Sequence, residues 1–245
     1  MKNPLAGEII NDIKKPTRMK RNKIIDDYRS HIKRQHKIAI TFHEAGHAAA
    51  IYLNNKARNL PPIFFQIVFK EIEESPNHDL AIMHVIHDDS IASIEGGRLI
   101  HTLPYLINVH DDVLMTNQNQ AMATPQMDYK TAFETDIINI LAGPLAEARY
   151  IHQRDNELFN NKLMSYRALK NYGGTSDLKL VGEYIDNFCT TKQEQNEKIN
   201  ELFTTAFDFV TDDSNWKAIT KLANYLTESS KDTISYDEVV SVLSY

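Results

Sequence analysis

The sequence predicts a mainly α fold of the α+β class, with one small β element and a helical bundle towards the C-terminal end. Three observations carry that expectation. Apolar residues recur at helical spacing over most of the chain. A single run, Ile63–Phe69, is dense in β-branched and aromatic residues. No internal repeat or low-complexity tract points to a solenoid or a disordered chain. With 245 residues, 42% hydrophobic and 24% charged, the chain can bury a substantial core, which sets aside the disordered and fibrous classes.

Residues 1–21 hold Pro4, Gly7 and Pro16 among lysines without a sustained period, and read as a basic flexible arm. Residues 1–37 carry +7 within a total charge of −6. Such a segment could touch nucleic acid, an anionic membrane or an acidic partner. The favoured reading is a solvated arm with no nucleic-acid partner. Residues 22–245 read as one domain. Ile24, Ile25, Tyr28, Ile32 and then Ile38 to Leu53 recur at helical spacing, and Asn54-Asn55 offers a stop. Pro61-Pro62 separates that helix from the strand Ile63–Phe69.

Residues 71–130 mix short apolar runs with acidic and histidine clusters, and are expected to hold short elements in irregular structure. An amphipathic helix follows from Tyr129 to His152, with Gly143-Pro144 as a point for a kink. Gly173-Gly174-Thr175-Ser176 is a turn feeding a helix that starts near Asp177, with Leu178, Val181, Tyr184, Ile185 and Phe188 as its apolar stripe. Two further helices, Gln193–Val210 and Trp216–Thr227, precede a short one opened by Ser235. No stretch has the apolar length of a membrane helix, and Met1–Asn11 lacks the apolar core of a secretory signal. The lone Cys189 excludes an intrachain disulfide and a cysteine-ligated structural zinc, so a reducing, cytoplasmic setting is expected.

Residues 43–47 read His-Glu-Ala-Gly-His inside the first helix. An i, i+4 spacing sets both imidazoles on one face a turn apart, where His43 and His47 can reach a single Zn²⁺. Glu44, about 100° round the helix, is then the catalytic group that takes a proton from a water in the open coordination position and passes it to a leaving amine. Gly46 and the alanines around it leave little bulk, so a neighbouring element can approach closely. A catalytic zinc needs a third protein ligand. Ala50 and Leu53 occupy the positions of a His-x5-His continuation, so the ligand comes from elsewhere. Asp177 and Glu147 are both well set for it, and chemistry alone leaves them level.

The run Thr41-Phe42-His43-Glu44-Ala45-Gly46-His47-Ala48 resembles the zinc peptidase domain of the membrane-bound AAA+ protease FtsH. Leu141-Ala142-Gly143-Pro144-Leu145-Ala146-Glu147 looks like that family's Gly-Gly-Arg-Ala-Ala-Glu helix, and Gly173-Gly174-Thr175-Ser176-Asp177-Leu178 like its Thr-Gly-Ala-x-Asn-Asp-Leu segment. The resemblance implies a helical zincin-like peptidase domain, with Asp177 as third zinc ligand and Glu147 in support behind the ligands or as the alternative. The tail from Glu194 to Leu243 is similar to the family's terminal helices. By the same analogy the strand Ile63–Phe69 either aligns an extended substrate through its main chain or is merely structural.

Three departures from the family stand out. No Gly-rich phosphate loop with Lys-Ser/Thr occurs in the sequence, so no use of ATP is expected. The span from His47 to Asp177 is longer than the family's, which marks 71–130 as an insertion: a lid, a specificity element or a docking surface. The family's loop after the aspartate-bearing helix is mostly missing after Cys189, so hexamer formation is not implied, while a homo-oligomer or a separate partner protein stays open. The expected function is a zinc endopeptidase acting on unfolded or accessible protein or peptide segments. The competing one is an inactive or regulatory adaptor of the same fold that binds a protein partner. His78, His84, His87, His101 and His110 are read as solvated loop residues, Tyr166 and Tyr172 as packing residues, and Cys189 as a small buried residue on its helix.

Overall fold

The computed structural model describes residues 18–70, 91–102 and 129–244. In chain order these form α1 (Arg18–Ala57), β1 (Phe65–Phe69), β2 (Ala92–Gly96), a 3-10 turn (Leu99–Thr102), α2 (Tyr129–Arg154), a second 3-10 turn (Tyr166–Asn171), α3 (Thr175–Phe188), α4 (Lys192–Thr211), α5 (Asp213–Glu228), β3 (Thr233–Ser235) and α6 (Tyr236–Ser244). The fold is mainly helical with a small antiparallel sheet, as the sequence predicts. Residues 1–37 and 38–245 are two compact units. Residues 1–17 of the expected arm, and residues 71–90 and 103–128 of the expected insertion, lie outside the described residues.

Helix α1 already begins at Arg18, rather than at Asn22, and passes the Asn54-Asn55 stop expected from the sequence. It closes where Asn59 adopts a positive φ of 53° and the Leu60 amide turns back to the Asn55 carbonyl at 2.8 Å. Asparagine tolerates that left-handed conformation better than other side chains, and Pro61-Pro62 then prevents any continuation.

Helix α2 departs from the amphipathic helix that its periodicity suggests. Nearly every residue from Ala132 to Ala148 is buried, so the helix is enclosed on all sides and packs against α3 and α4. It also runs through Gly143-Pro144 as one continuous helix. The polar residues Thr135, Asp136, Asn139 and Glu147 are buried with it; Asp136 and Glu147 are matched by the Leu99 and Ile100 amides and by His43, while Asn139 Nδ2 has no hydrogen-bond partner among the described residues. α1 meets α2 at Gly46, where a Cβ would fall 2.5 Å from the Ala142 carbonyl oxygen. Only glycine permits that approach.

The bundle beyond α3 is set by its caps. Thr191 and Glu194 form a reciprocal capping box at the start of α4, and Asp212 accepts from the amides of Ser214 and Asn215 at the start of α5. Ser235 opens α6 as expected: its amide donates to Glu238 Oε2 at 3.2 Å, and the Glu238 amide returns to Ser235 Oγ at 3.4 Å.

The sheet has the order β2-β1-β3, both pairs antiparallel. Ile67 faces Ile94 on one side and Ile234 on the other, and Ile67 and Ile234 are fully buried. β1 is therefore the middle strand, with its main chain occupied on both edges, and cannot itself align a substrate by strand addition. The sheet's two outer edges belong to the short β3 and to β2, the latter lying inside the segment read as an insertion. Among the described residues no strand pairs with that outer edge.

Candidate metal centre

His43 and His47 project from α1 with ring centroids 4.8 Å apart. α2 crosses behind them and presents Asn139, Gly143 and Glu147, spaced four residues apart on one helical face. His43 Nδ1 lies 2.9 Å from Glu147 Oε2, and His47 Nδ1 lies 3.0 Å from the Asn139 carbonyl oxygen. Residue 43 meets 147 and 47 meets 139, so the two helices run antiparallel along this seam. Both partners can only accept, provided Glu147 is ionised, so each Nδ1 carries the proton and donates it. Each Nε2 is thereby turned to the opposite side of the ring.

There the two Nε2 atoms converge on one carboxylate. Asp177 Oδ2 is 3.1 Å from His43 Nε2, and Asp177 Oδ1 is 3.4 Å from His47 Nε2. Asp177 stands in the first turn of α3, where the partial positive charge of the helix N-terminus favours a carboxylate. The turn before it is specified by Gly173, at a positive φ of 69°, where a Cβ would come within 2.7 Å of Glu147 Oε2 and 3.0 Å of His43 Nδ1.

Burial opposes charge on His43, but the hydrogen-bonded carboxylates of Asp177 and Glu147 outweigh it and hold the imidazole pKa well above its ordinary value. Burial likewise pushes the Asp177 carboxyl up, yet the charge of His47 and the hydrogen bond from His43 prevail and hold it well below the usual carboxylate range.

His43, His47 and Asp177 each offer one ligand atom, all within 4.8 Å of one another, and could hold a metal ion. The chemistry of the donor set fits one. Two imidazoles have Nδ1 engaged by acceptors behind them and Nε2 facing inward, which is how metal-bound histidines are oriented. Glu147 falls behind His43 rather than at the centre.

Glu44, buried beside His43, lines an open cleft of about 260 Å³ together with the three candidate ligands. The opposite wall is Ala92, Ser93 and Ile94 of β2, then Gly96, Gly97 and Arg98. Asp136 of α2 fixes that wall by accepting from the amides of Leu99 at 2.8 Å and Ile100 at 3.0 Å.

Sequence reading missed Asn139, Asp136, Arg98 and the whole of β2. Asn139 meets His47 through its main-chain carbonyl, a role that no side-chain pattern in the sequence could signal. Tyr166 and Tyr172 do not line the cleft. Burial pushes the Tyr166 phenol up to about 12, and it donates to the Leu178 carbonyl at 3.3 Å, while Tyr172 packs on His152. His101 is exposed and the other four histidines of that group lie outside the described residues. Cys189 is only half-buried and follows α3 as its C-cap, so it is not a core residue of that helix.

No family model matches the chain, and no curated protein sequence matches it. No described helix is long and apolar enough to cross a membrane.

Proposed function

We propose that this chain is a zinc-dependent endopeptidase with a helical zincin-like domain of the FtsH peptidase type, which cuts unfolded or otherwise accessible protein segments without ATP. The observation that carries the reading is the convergence of His43 Nε2 and His47 Nε2 on the Asp177 carboxylate, with Glu44 on the same cleft. His43, His47 and Asp177 would hold the ion, and zinc bound there supplies a Lewis acid that lowers the pKa of water towards neutrality.

Glu44 then accepts a proton from the attacking water on its carboxylate and returns it to the departing amine. Glu147 and the Asn139 carbonyl keep the two imidazoles in the tautomer and orientation that the ion needs. The outer edge of β2 binds the substrate backbone in extended form, which favours segments free of their own secondary structure. Among these 245 residues no Gly-rich phosphate loop with Lys-Ser/Thr occurs.

The test is zinc content per purified chain, followed by cleavage of an unfolded protein. About one zinc in wild type, lost in His43→Ala and Asp177→Ala, with cleavage abolished in a zinc-loaded Glu44→Gln, supports the reading. A wild type that takes up no zinc when it is offered removes it, and a partner-binding scaffold of the same fold takes its place.

A further inference from the structure

Arg98 has no role in the chemistry above, yet among the described residues it is the single lysine or arginine lining the cleft. It enters the wall just after Gly96 and Gly97, whose φ values of 89° and 77° turn the chain back from β2. The next two residues are pinned to α2 by Asp136, which fixes the arginine's backbone. The guanidinium faces the Tyr184 phenol and the Asp136 side chain. Asp136 also accepts the main-chain amides of Leu99 and Ile100, so its charge is shared between those donors and the guanidinium. The cleft that Arg98 lines also has apolar side chains, Ile51, Ile94, Ile140 and Leu180, besides the polar groups already described. A cation whose backbone is pinned beside the metal-ligand side chains, on the wall of a small cleft, is suited to one substrate carboxylate.

We propose that Arg98 is a specificity determinant that binds a substrate carboxylate next to the bond being cut, so that the chain selects acidic sites. The inference rests on the peptidase reading. The carboxylate belongs either to an aspartate or glutamate side chain or to the substrate's own C-terminus.

The experiment uses matched octapeptides with Glu or Gln at each position flanking the cleaved bond, and with free or amidated C-termini. Cleavage by the zinc-loaded wild type is measured in parallel with binding of the same labelled peptides to Glu44→Gln. We expect the Glu peptide to exceed its Gln partner by about tenfold in kcat/KM and in affinity. Arg98→Gln should erase the difference and Arg98→Lys retain part of it, at unchanged zinc stoichiometry. A difference that follows the free C-terminus instead assigns the carboxylate to the chain end and makes the activity exopeptidic. Equal handling of all the peptides by wild type, or a preference that survives in Arg98→Gln, overturns the proposal. If wild type cuts nothing, the peptidase reading falls alone where Glu44→Gln still binds the acidic peptide through Arg98. Both fall where it does not.

Discussion

Gly143 of α2 lies flat against the imidazole of His47, so close that a Cβ at 143 would overlap the ring. Helix α2 is thus shaped around a histidine of α1, and the smallest side-chain addition bears directly on the site. Gly143→Ala is expected to lower zinc affinity at least tenfold. Gly182→Ala on α3, where a Cβ meets nothing within 4 Å, should leave zinc unchanged and stabilise the fold by about 0.5–1 kcal/mol. Zinc titrations and thermal melts of the pair check both halves.

Glu147→Gln keeps the size of the side chain and removes its charge. His43 should lose orientation and basicity, with zinc affinity falling about 10- to 100-fold, while a saturated sample still holds one zinc. Asp177→Ala should fail to saturate. Competition with a chromophoric chelator separates the two, and equal affinities would undo the assignment of inner and outer carboxylates.

The metal-free centre is pH-sensitive in a defined sense. His43 has a raised pKa in the folded state, so its contribution is complete below the ordinary 6.5 and fades as pH climbs through the raised value. Asp177 has a depressed pKa, so its contribution is complete above the ordinary 3.8 and fades as pH falls through the lowered value. Both are present in full between those two ordinary values. Chelator-treated protein should therefore melt highest in weakly acid buffer and lose stability towards alkaline pH, a loss absent from His43→Ala. Zinc displaces the His43 proton, so its binding should release protons and strengthen as pH rises, which calorimetry in buffers of different ionisation enthalpy reads directly.

Asp136→Ala removes the acceptor for the buried amide of Leu99 and its neighbour Ile100. The expected cost is about 1–3 kcal/mol in denaturant unfolding. Zinc stoichiometry should hold, because Asp136 reaches the site only through the wall it supports.

The chemistry-bearing pair His43 and His47 was legible in the sequence because helical spacing alone brings them together. From residue chemistry alone Asp177 was one of two candidates and only the family resemblance favoured it, since its pairing with His43 spans 134 residues and no local rule reaches that far. The acidic residues also traded prominence. Glu147, read as either a support behind the ligands or the alternative ligand, sits behind His43, while Asp136, unnoticed beside Glu134 and Thr135, holds the wall of the cleft. Periodicity misjudged α2 for a related reason: a helix enclosed on every side carries polar residues wherever a neighbour needs an acceptor, which imitates a solvated face. β2 was missed because Ala92–Gly96 owes its strand character to pairing with β1 rather than to its own composition.

The distance along the chain between His43 and Asp177 also has a bearing on when such a protein becomes dangerous. A nascent chain that has emerged only as far as α2 carries both histidines and the glutamate but lacks the aspartate that completes the ligand set. Under the peptidase reading, the polypeptide stays harmless to itself and to its neighbours on the ribosome until α3 has been made and docked.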